Sequence, residues 1–269
     1  MPEVIINGAG GRIEARYHHV AGSDAPTALL VHPHPQHGGN MSNKVVYTLF
    51  QTFVQRKFST MRFNFRGVGR SQGVYDGGEG ELCDAAAALD RLQAYNPNSN
   101  VCWVVGLSFG AWIAMQLLMR RPEISGFISL APPASTHDFS FLAPCPSSGL
   151  FICGAEDEVV SDEDVTKLLD KLTNQRSIEI DHRIIDGADH FFTGKHEDLV
   201  SHVNDYLDEA MAKGDQVVCR IPRPLGNGSP AVTVQNAPAH RAGHACSGGQ
   251  TQRQVFHGPH GEIGEGLGL

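Results

Sequence analysis

No apolar run in this sequence comes near the roughly 20 residues that span a bilayer, and no basic stretch followed by an apolar one opens it. Neither a membrane anchor nor an export signal is expected, so the expected location is cytoplasmic. Basic residues are in deficit: 21 lysines and arginines stand against 29 aspartates and glutamates, a formal net charge of -8. Nucleic acid and anionic membranes, which call for clustered Lys and Arg, are poor partners for such a chain. Cysteine is sparse too. Residues 83, 102, 145, 153, 219 and 246 show no CxxC spacing, and Cys102 and Cys153 sit in apolar stretches where a thiol packs as a small hydrophobe. A disulfide framework is not expected, and the thiols are read as reduced. What remains is a 269-residue chain with 41% hydrophobic residues, enough for the core of one large α/β domain that works on a small molecule.

The most informative stretch is Val101 to Met119, VCWVVGLSFGAWIAMQLLM. An apolar, β-branched run meets Gly106-Leu107-Ser108-Phe109-Gly110 and passes into a long apolar helical pattern, so a strand, a sharp turn and a helix are predicted with one serine at the bend. GxSxG in that setting is a nucleophile elbow. The strained turn projects the serine hydroxyl off the sheet, and Gly106 and Gly110 remove side chains that would collide there. The helix behind the bend turns its first N–H groups and its positive end toward any oxyanion formed beside Ser108.

The rest of the chain alternates strands and helices. Glu3–Asn7 and Arg12–Tyr17 read as an antiparallel hairpin, Thr27–His32 as a buried strand, and His32–Asn40 as a Pro- and Gly-rich loop. Lys44–Arg56 has helical period, Ser59–Phe65 is a strand, and Glu79–Tyr95 is an Ala-rich helix closed by Asn96-Pro97. Beyond the elbow, Gly126–Leu130 and Gly149–Gly154 are strands joined by the proline-studded segment Ala131–Ser148. A helix from Ser161 to about Gln175, a strand over Ser177–Ile185 and a closing helix over Glu197–Lys213 complete the pattern. Such alternation predicts a mostly parallel sheet covered on both faces. From residue 214 the pattern breaks: roughly a fifth of the remainder is glycine, with no sustained period, so 1–213 is the expected domain and 214–269 a disordered tail.

A serine hydroxyl needs a base to take its proton and a third group to orient that base. In an open parallel sheet such groups gather at the carboxyl ends of strands. Asp157 follows the strand ending at Gly154, with Glu156 and Glu158 as rivals for the acid. His190 follows the strand ending near Ile185, with His182 and His196 as rivals for the base. Ser108, Asp157 and His190 therefore form the expected catalytic set, in the chain order Ser, Asp, His. Asp189, adjacent to His190, is read as orienting the loop. For the oxyanion, one donor is the N–H of Phe109. The second is expected from the loop after Thr27–His32, where Pro33 and Pro35 have none to give; His34 is favoured over Gln36, His37 and the glycines.

Two other readings are set aside. His32, His34 and His37 could suggest a metal, but no carboxylate or cysteine joins them, and His240, His244, His257 and His260 are irregularly spaced. No metal and no cofactor is expected. After Gly67-Val68-Gly69 the third glycine is out of register for a dinucleotide site and no ribose-binding acid follows at the right distance, so Arg66 is better read as bridging loops.

With these residues in place the chain resembles the α/β-hydrolase superfamily, and within it a small, lidless bacterial serine hydrolase or carboxylesterase group. The resemblance rests on VHPHPQHGGNMSNKVV (31–46), RFNFRGVGRSQG (62–73), GLSFGAW (106–112), GAEDEVV (154–160) and GADHFF (187–192), in that order. It covers about the first 213 residues. It implies Ser108 as nucleophile, His190 as base, Asp157 as acid, and an oxyanion hole built from Phe109 and the HPHP loop. The residue types separate this chain from hydrolases with an aspartate or cysteine at the elbow. The short Ala131–Ser148 segment leaves no room for a helical cap. The expected activity is cleavage of short or flexible carboxylic esters through an acyl-enzyme at an open, shallow site. A thioesterase or acyltransferase with the same triad, and a non-catalytic hydrolase-fold binding protein, are the alternatives. A homodimer could form on an exposed sheet edge.

Overall fold

The computed structural model describes residues 3–21, 24–173 and 178–214. The tail predicted over 214–269, its histidines, Cys219 and Cys246 lie outside the described residues, apart from Gly214 at the end of the last helix.

One eight-stranded sheet organises the described chain. The strands are β1 (Glu3–Gly8), β2 (Gly11–His18), β3 (Thr27–Val31), β4 (Ser59–Phe63), β5 (Cys102–Leu107), β6 (Gly126–Leu130), β7 (Gly149–Gly154) and β8 (Ile180–Ile185). Their order across the sheet is β1-β2-β4-β3-β5-β6-β7-β8. The β1–β2 hairpin pairs antiparallel and joins β4 antiparallel, and every pairing from β4 to β8 is parallel. The helices are α1 (Lys44–Gln55), α2 (Glu79–Tyr95), α3 (Phe109–Leu118), α4 (Asp162–Thr173) and α5 (His196–Gly214). This is the α/β-hydrolase fold without a cap: between β6 and β7 the chain makes only a short 3-10 turn at Ser140–Leu142.

The period of two along each strand divides the core. Leu29, Val31, Val104, Phe127 and Phe151 pack on one face with residues of α2, α3 and α4. Ala28, Leu30, Trp103, Val105, Ile128 and Ile152 pack on the other with α1 and α5. Because both faces are covered, the central strands are buried at every position, and they read in sequence as apolar runs without alternation. The β8 edge strand is only half-buried over most of its length.

Local chemistry sets the helix starts. The Asn43 side chain accepts the N–H groups of Val45 and Val46 at the head of α1. At the head of α2, the buried Glu81 carboxylate accepts the N–H groups of Gly78 (2.8 Å) and Asp76 (3.1 Å). Asp162, Glu163 and Asp164 occupy the first turn of α4, where the helix dipole favours negative charge. Arg66 does bridge its loop to a helix: its Nε and Nη2 donate to the two oxygens of the buried Asp84 on α2 at 3.0 and 2.9 Å. Strand β4 stops two residues short of the expected Phe65. Asn64 N–H still donates to the Glu14 carbonyl at 2.9 Å, but Ser71 takes over the return bond: its Oγ accepts Glu14 N–H at 2.9 Å and donates to the Asn64 carbonyl at 2.7 Å.

The tightest constraint is at the β5–α3 bend. A Cβ on Gly106 would overlap the backbone of Gly110 and Ala111, and one on Gly110 would overlap the carbonyl oxygens of Val31 and His32. Gly106→Ala is therefore expected to destabilise the protein by roughly 3 kcal/mol, since backbone must move to admit the methyl group. Urea unfolding midpoints measure it; a change below 0.5 kcal/mol, within the spread of ordinary surface substitutions, would show that the bend can relax.

Candidate active site

Three strand ends meet above the sheet. Ser108 stands between β5 and α3 at φ 54°, ψ -122°, a conformation unfavourable for a residue with a Cβ. Its own N–H donates to Leu130 O at 2.8 Å, and its carbonyl accepts Ala111 N–H at 2.8 Å, so strand and helix both fix the bend. Asp157 lies in the turn after β7, and its Oδ1 accepts the N–H groups of Val159 and Val160, both at 2.8 Å. His190 lies in the turn after β8. Gly154 lets the two turns approach, because a Cβ there would overlap the carbonyl of Ala188.

These turns bring the three predicted residues into one hydrogen-bonded line. His190 Nδ1 is 2.8 Å from Asp157 Oδ2, and His190 Nε2 is 2.9 Å from Ser108 Oγ. A carboxylate can only accept, so Nδ1 carries the proton and Nε2 is left to accept the Ser108 hydroxyl. Burial works against the Asp157 charge. The His190 hydrogen bond, with the Val160 and Val159 N–H groups, outweighs it and holds the carboxyl below its usual range. The side chains of His190 and Asp157 are only 8% and 2% exposed, so the pair is largely shielded from water. Asp189 makes its hydrogen bonds within its own loop, where its Oδ1 accepts the N–H groups of Phe191 (3.0 Å) and Thr193 (2.8 Å). Of the rivals, His182 lies on β8 and His196 opens α5.

The loop after β3 makes a 3-10 turn at Pro35–His37 against this line. The His34 carbonyl accepts the N–H groups of His37 and Gly39, and His34 Nδ1 accepts that of Gln36. Among the loop donors left open by the sequence, then, those of Gln36, His37 and Gly39 are occupied. No acceptor is found among the described residues for the N–H of His34, nor for that of Phe109 in the first turn of α3, where the helix itself offers none. The His34 ring lies 4.8 Å from the Phe109 ring, centroid to centroid, so the loop sits directly beside the residue after Ser108.

The histidines of that loop are not free to ligate together. His32 is fully buried and uses both ring nitrogens: Nε2 accepts Phe65 N–H at 3.0 Å, and Nδ1 donates to the Pro33 carbonyl at 2.6 Å. Cys83, Cys102 and Cys153 are free thiols, and burial pushes the Cys153 thiol up to about 12 and that of Cys102 to about 11. Sequence reasoning missed a set of rings around Phe109, contributed by Tyr75, Trp112 and His137 as well as His34. They come from four separate segments, and no spacing in the chain joins them.

A family model described as serine aminopeptidase, S33, matches residues 34–148. Among solved structures, a protein of unknown function from Agrobacterium tumefaciens, ATU1826, described as a candidate α/β hydrolase, is 55% identical. It superposes with a TM-score of 0.77 over 83% of this chain and 100% of that one. An α/β serine hydrolase homologue from Coxiella burnetii is 35% identical, with a TM-score of 0.68 over 77% of this chain and 97% of its own. XC6422 from Xanthomonas campestris, described as an α/β serine hydrolase without a lid, is 29% identical, with a TM-score of 0.68 over 82% and 96%.

The buried His32 ties the β3 loop to the end of β4 only while it is neutral, since protonated Nε2 could no longer accept Phe65 N–H. Burial lowers its pKa to about 4, against a smaller opposing effect of the Pro33 carbonyl. The unfolded chain takes up this proton near pH 6.5 and the folded chain does not until about pH 4, so stability present above 6.5 is lost as the pH falls through that window. On the order of 2 to 3 kcal/mol is expected to go by pH 4.5. Unfolding free energies of wild type and His32→Gln at pH 7.5 and 4.5 measure it. An equal drop in both proteins would assign the loss to other groups.

Proposed function

The chain belongs to the α/β-hydrolase superfamily, in its lidless serine hydrolase group, and from that premise we propose that it is a carboxylesterase cleaving short-chain carboxylic esters through an acyl-enzyme. The observation that carries this reading is the continuous line Ser108–His190–Asp157, with contacts of 2.9 and 2.8 Å. Ser108 Oγ attacks the ester carbonyl as its proton passes to His190 Nε2. Asp157 holds the ring in the required tautomer and stabilises the imidazolium. The oxyanion takes the N–H of Phe109 and, from the β3 loop, that of His34. His190 then gives its proton to the departing alkoxide, and a water activated by the same nitrogen releases the acid. Strain at Ser108, of order 1–3 kcal/mol, persists because the surrounding backbone over-determines it.

An aminopeptidase must hold a free amino terminus, which calls for acidic side chains beside the nucleophile. The side chains that ring Phe109 are aromatic and imidazole instead, which favours an uncharged acyl group. No helix among the described residues is long and apolar enough to cross a membrane. The reading extends to a cytoplasmic enzyme of a diffusible small-molecule ester, without nucleic-acid or membrane partners and without a cofactor. The outer strands β1 and β8 leave edges on which a homodimer could form.

Hydrolysis of p-nitrophenyl esters from acetate to laurate tests the proposal. Turnover is expected on the short chains, with kcat falling by on the order of 10⁴ to 10⁶ in Ser108→Ala and about 10⁴ in Asp157→Asn. Unchanged turnover in Ser108→Ala would sink the reading, and preference for acyl thioesters over the matched oxyesters would move it to a thioesterase.

A further inference from the structure

The N–H of Phe109 serves the oxyanion, but its ring has no part in the reaction as derived. That ring is buried and forms the hub of a cluster reaching the surface. His34 lies 4.8 Å from it, Trp112 5.7 Å, His137 5.8 Å and Tyr75 6.0 Å, centroid to centroid. The outer rings also touch one another: His34 and Tyr75 at 5.0 Å, Trp112 and His137 at 4.6 Å. All four residues are only half-buried.

The cluster is fixed in place. Trp112 is one helical turn beyond Ser108, its backbone N–H on the Ser108 carbonyl and its indole Nε1–H on the Asp138 carbonyl at 2.9 Å. Gly78, at φ 110°, has no Cβ, and one there would overlap the indole ring. Tyr75 Oη is 3.2 Å from His34 Nε2. Burial lowers the pKa of both His34 and His137, with neighbouring histidines adding to the effect at His34, so both imidazoles are neutral near pH 7. An uncharged, pre-positioned wall of ring faces favours another flat ring over a flexible chain, which would lose rotamer freedom on binding.

Orientation decides which half of an ester meets that wall. The departing oxygen must sit at His190 Nε2 to receive its proton, so the leaving group lies on the side of His190 and Phe191. The acyl substituent is directed to the other side of the tetrahedral carbon, toward the residues packed on Phe109. We propose that these rings are the acyl subsite and that the acyl group they take is flat and aromatic, of benzoyl or cinnamoyl size. The inference rests on the ester-cleaving reading above. The Ser108 Oγ–acyl bond forms as the ester C–O bond breaks, the serine proton leaves on the alcohol by way of His190, and water then frees the arenecarboxylic acid.

The test compares kcat/KM for p-nitrophenyl benzoate and p-nitrophenyl hexanoate, each divided by its spontaneous rate, in wild type, Trp112→Leu and Tyr75→Leu. The expected benzoate-to-hexanoate ratio is above about 10 in wild type and falls roughly tenfold in each variant, about 1.4 kcal/mol and the upper end for a single ring contact. Inhibition of wild type by phenylboronic and n-butylboronic acids, which form a tetrahedral adduct on an active serine, gives a second reading independent of variant folding. The phenyl compound is expected to bind at least tenfold more tightly. Ester cleavage with a ratio near 1, or a preference that both variants retain, overturns the aromatic subsite and leaves the esterase standing. Tighter phenylboronic binding without turnover of any ester keeps the subsite and overturns the ester reading. No turnover and no boronic acid binding removes both.

Discussion

A serine is held at φ 54° here because the strand before it and the helix after it almost touch. Gly106 and Gly110 are the points of approach, and the second also lies under the carbonyls of Val31 and His32. That one close contact aligns three things at once: the direction of the Ser108 hydroxyl, the free N–H groups at the head of α3, and the start of the β3 loop that lies beside them. With a larger residue at either glycine, the nucleophile and the loop would be set apart by the same displacement. The cost of the strained bend is small beside the burial of the strands and of α3, on whose residues the whole site is mounted.

The partners of Ser108 reach it through a comparable economy of backbone. Parallel strands end side by side, so β5, β7 and β8 deliver their following turns to one edge of the sheet. Gly154 lets the turn bearing Asp157 close against the turn bearing His190. Each turn is then tied down by its own acid: Asp157 accepts two backbone N–H groups as well as the His190 ring, and Asp189 accepts two more. Two adjacent positions in one loop, Asp189 and His190, thus divide the work, one facing the backbone and the other facing the nucleophile.

Much of this was legible in the sequence for physical reasons. Strands buried on both faces are unmistakable apolar runs, and α2, with alanines at its centre and Asn96-Pro97 at its end, has bounds that match the expected Glu79–Tyr95. GxSxG between such a strand and such a helix carries its geometry in its composition. The end of β4 was not legible, because the ladder is interrupted by the Ser71 hydroxyl, which comes between the Asn64 carbonyl and the Glu14 N–H, 7 and 57 residues away from it. The occupancy of the loop donors was hidden as well. The residue types permit Gln36, His37 or Gly39 to face an oxyanion, and only the turn around His34 shows that their N–H groups are already used. The ring wall was hidden most completely, since Tyr75, Phe109 and His137 acquire a relation only when two loops fold over the head of α3.

The absence of a cap gives that wall its weight. Hydrolases that insert helices above the elbow can shape the substrate from the cap, whereas here, on the proposed reading, that task falls to the loops at the strand ends that also carry Asp157 and His190. The head of α2 shows how the two demands are joined. Glu81 gathers the N–H groups of Asp76 and Gly78, which presses Gly78 against Trp112, and Asp84, one turn on, grips Arg66 in the loop after β4. Trp112 in turn hangs from the Ser108 carbonyl. The ring cluster and Ser108 are therefore positioned by one connected set of contacts, so the proposed acyl subsite would be built into the same frame that holds the Ser108–His190–Asp157 line.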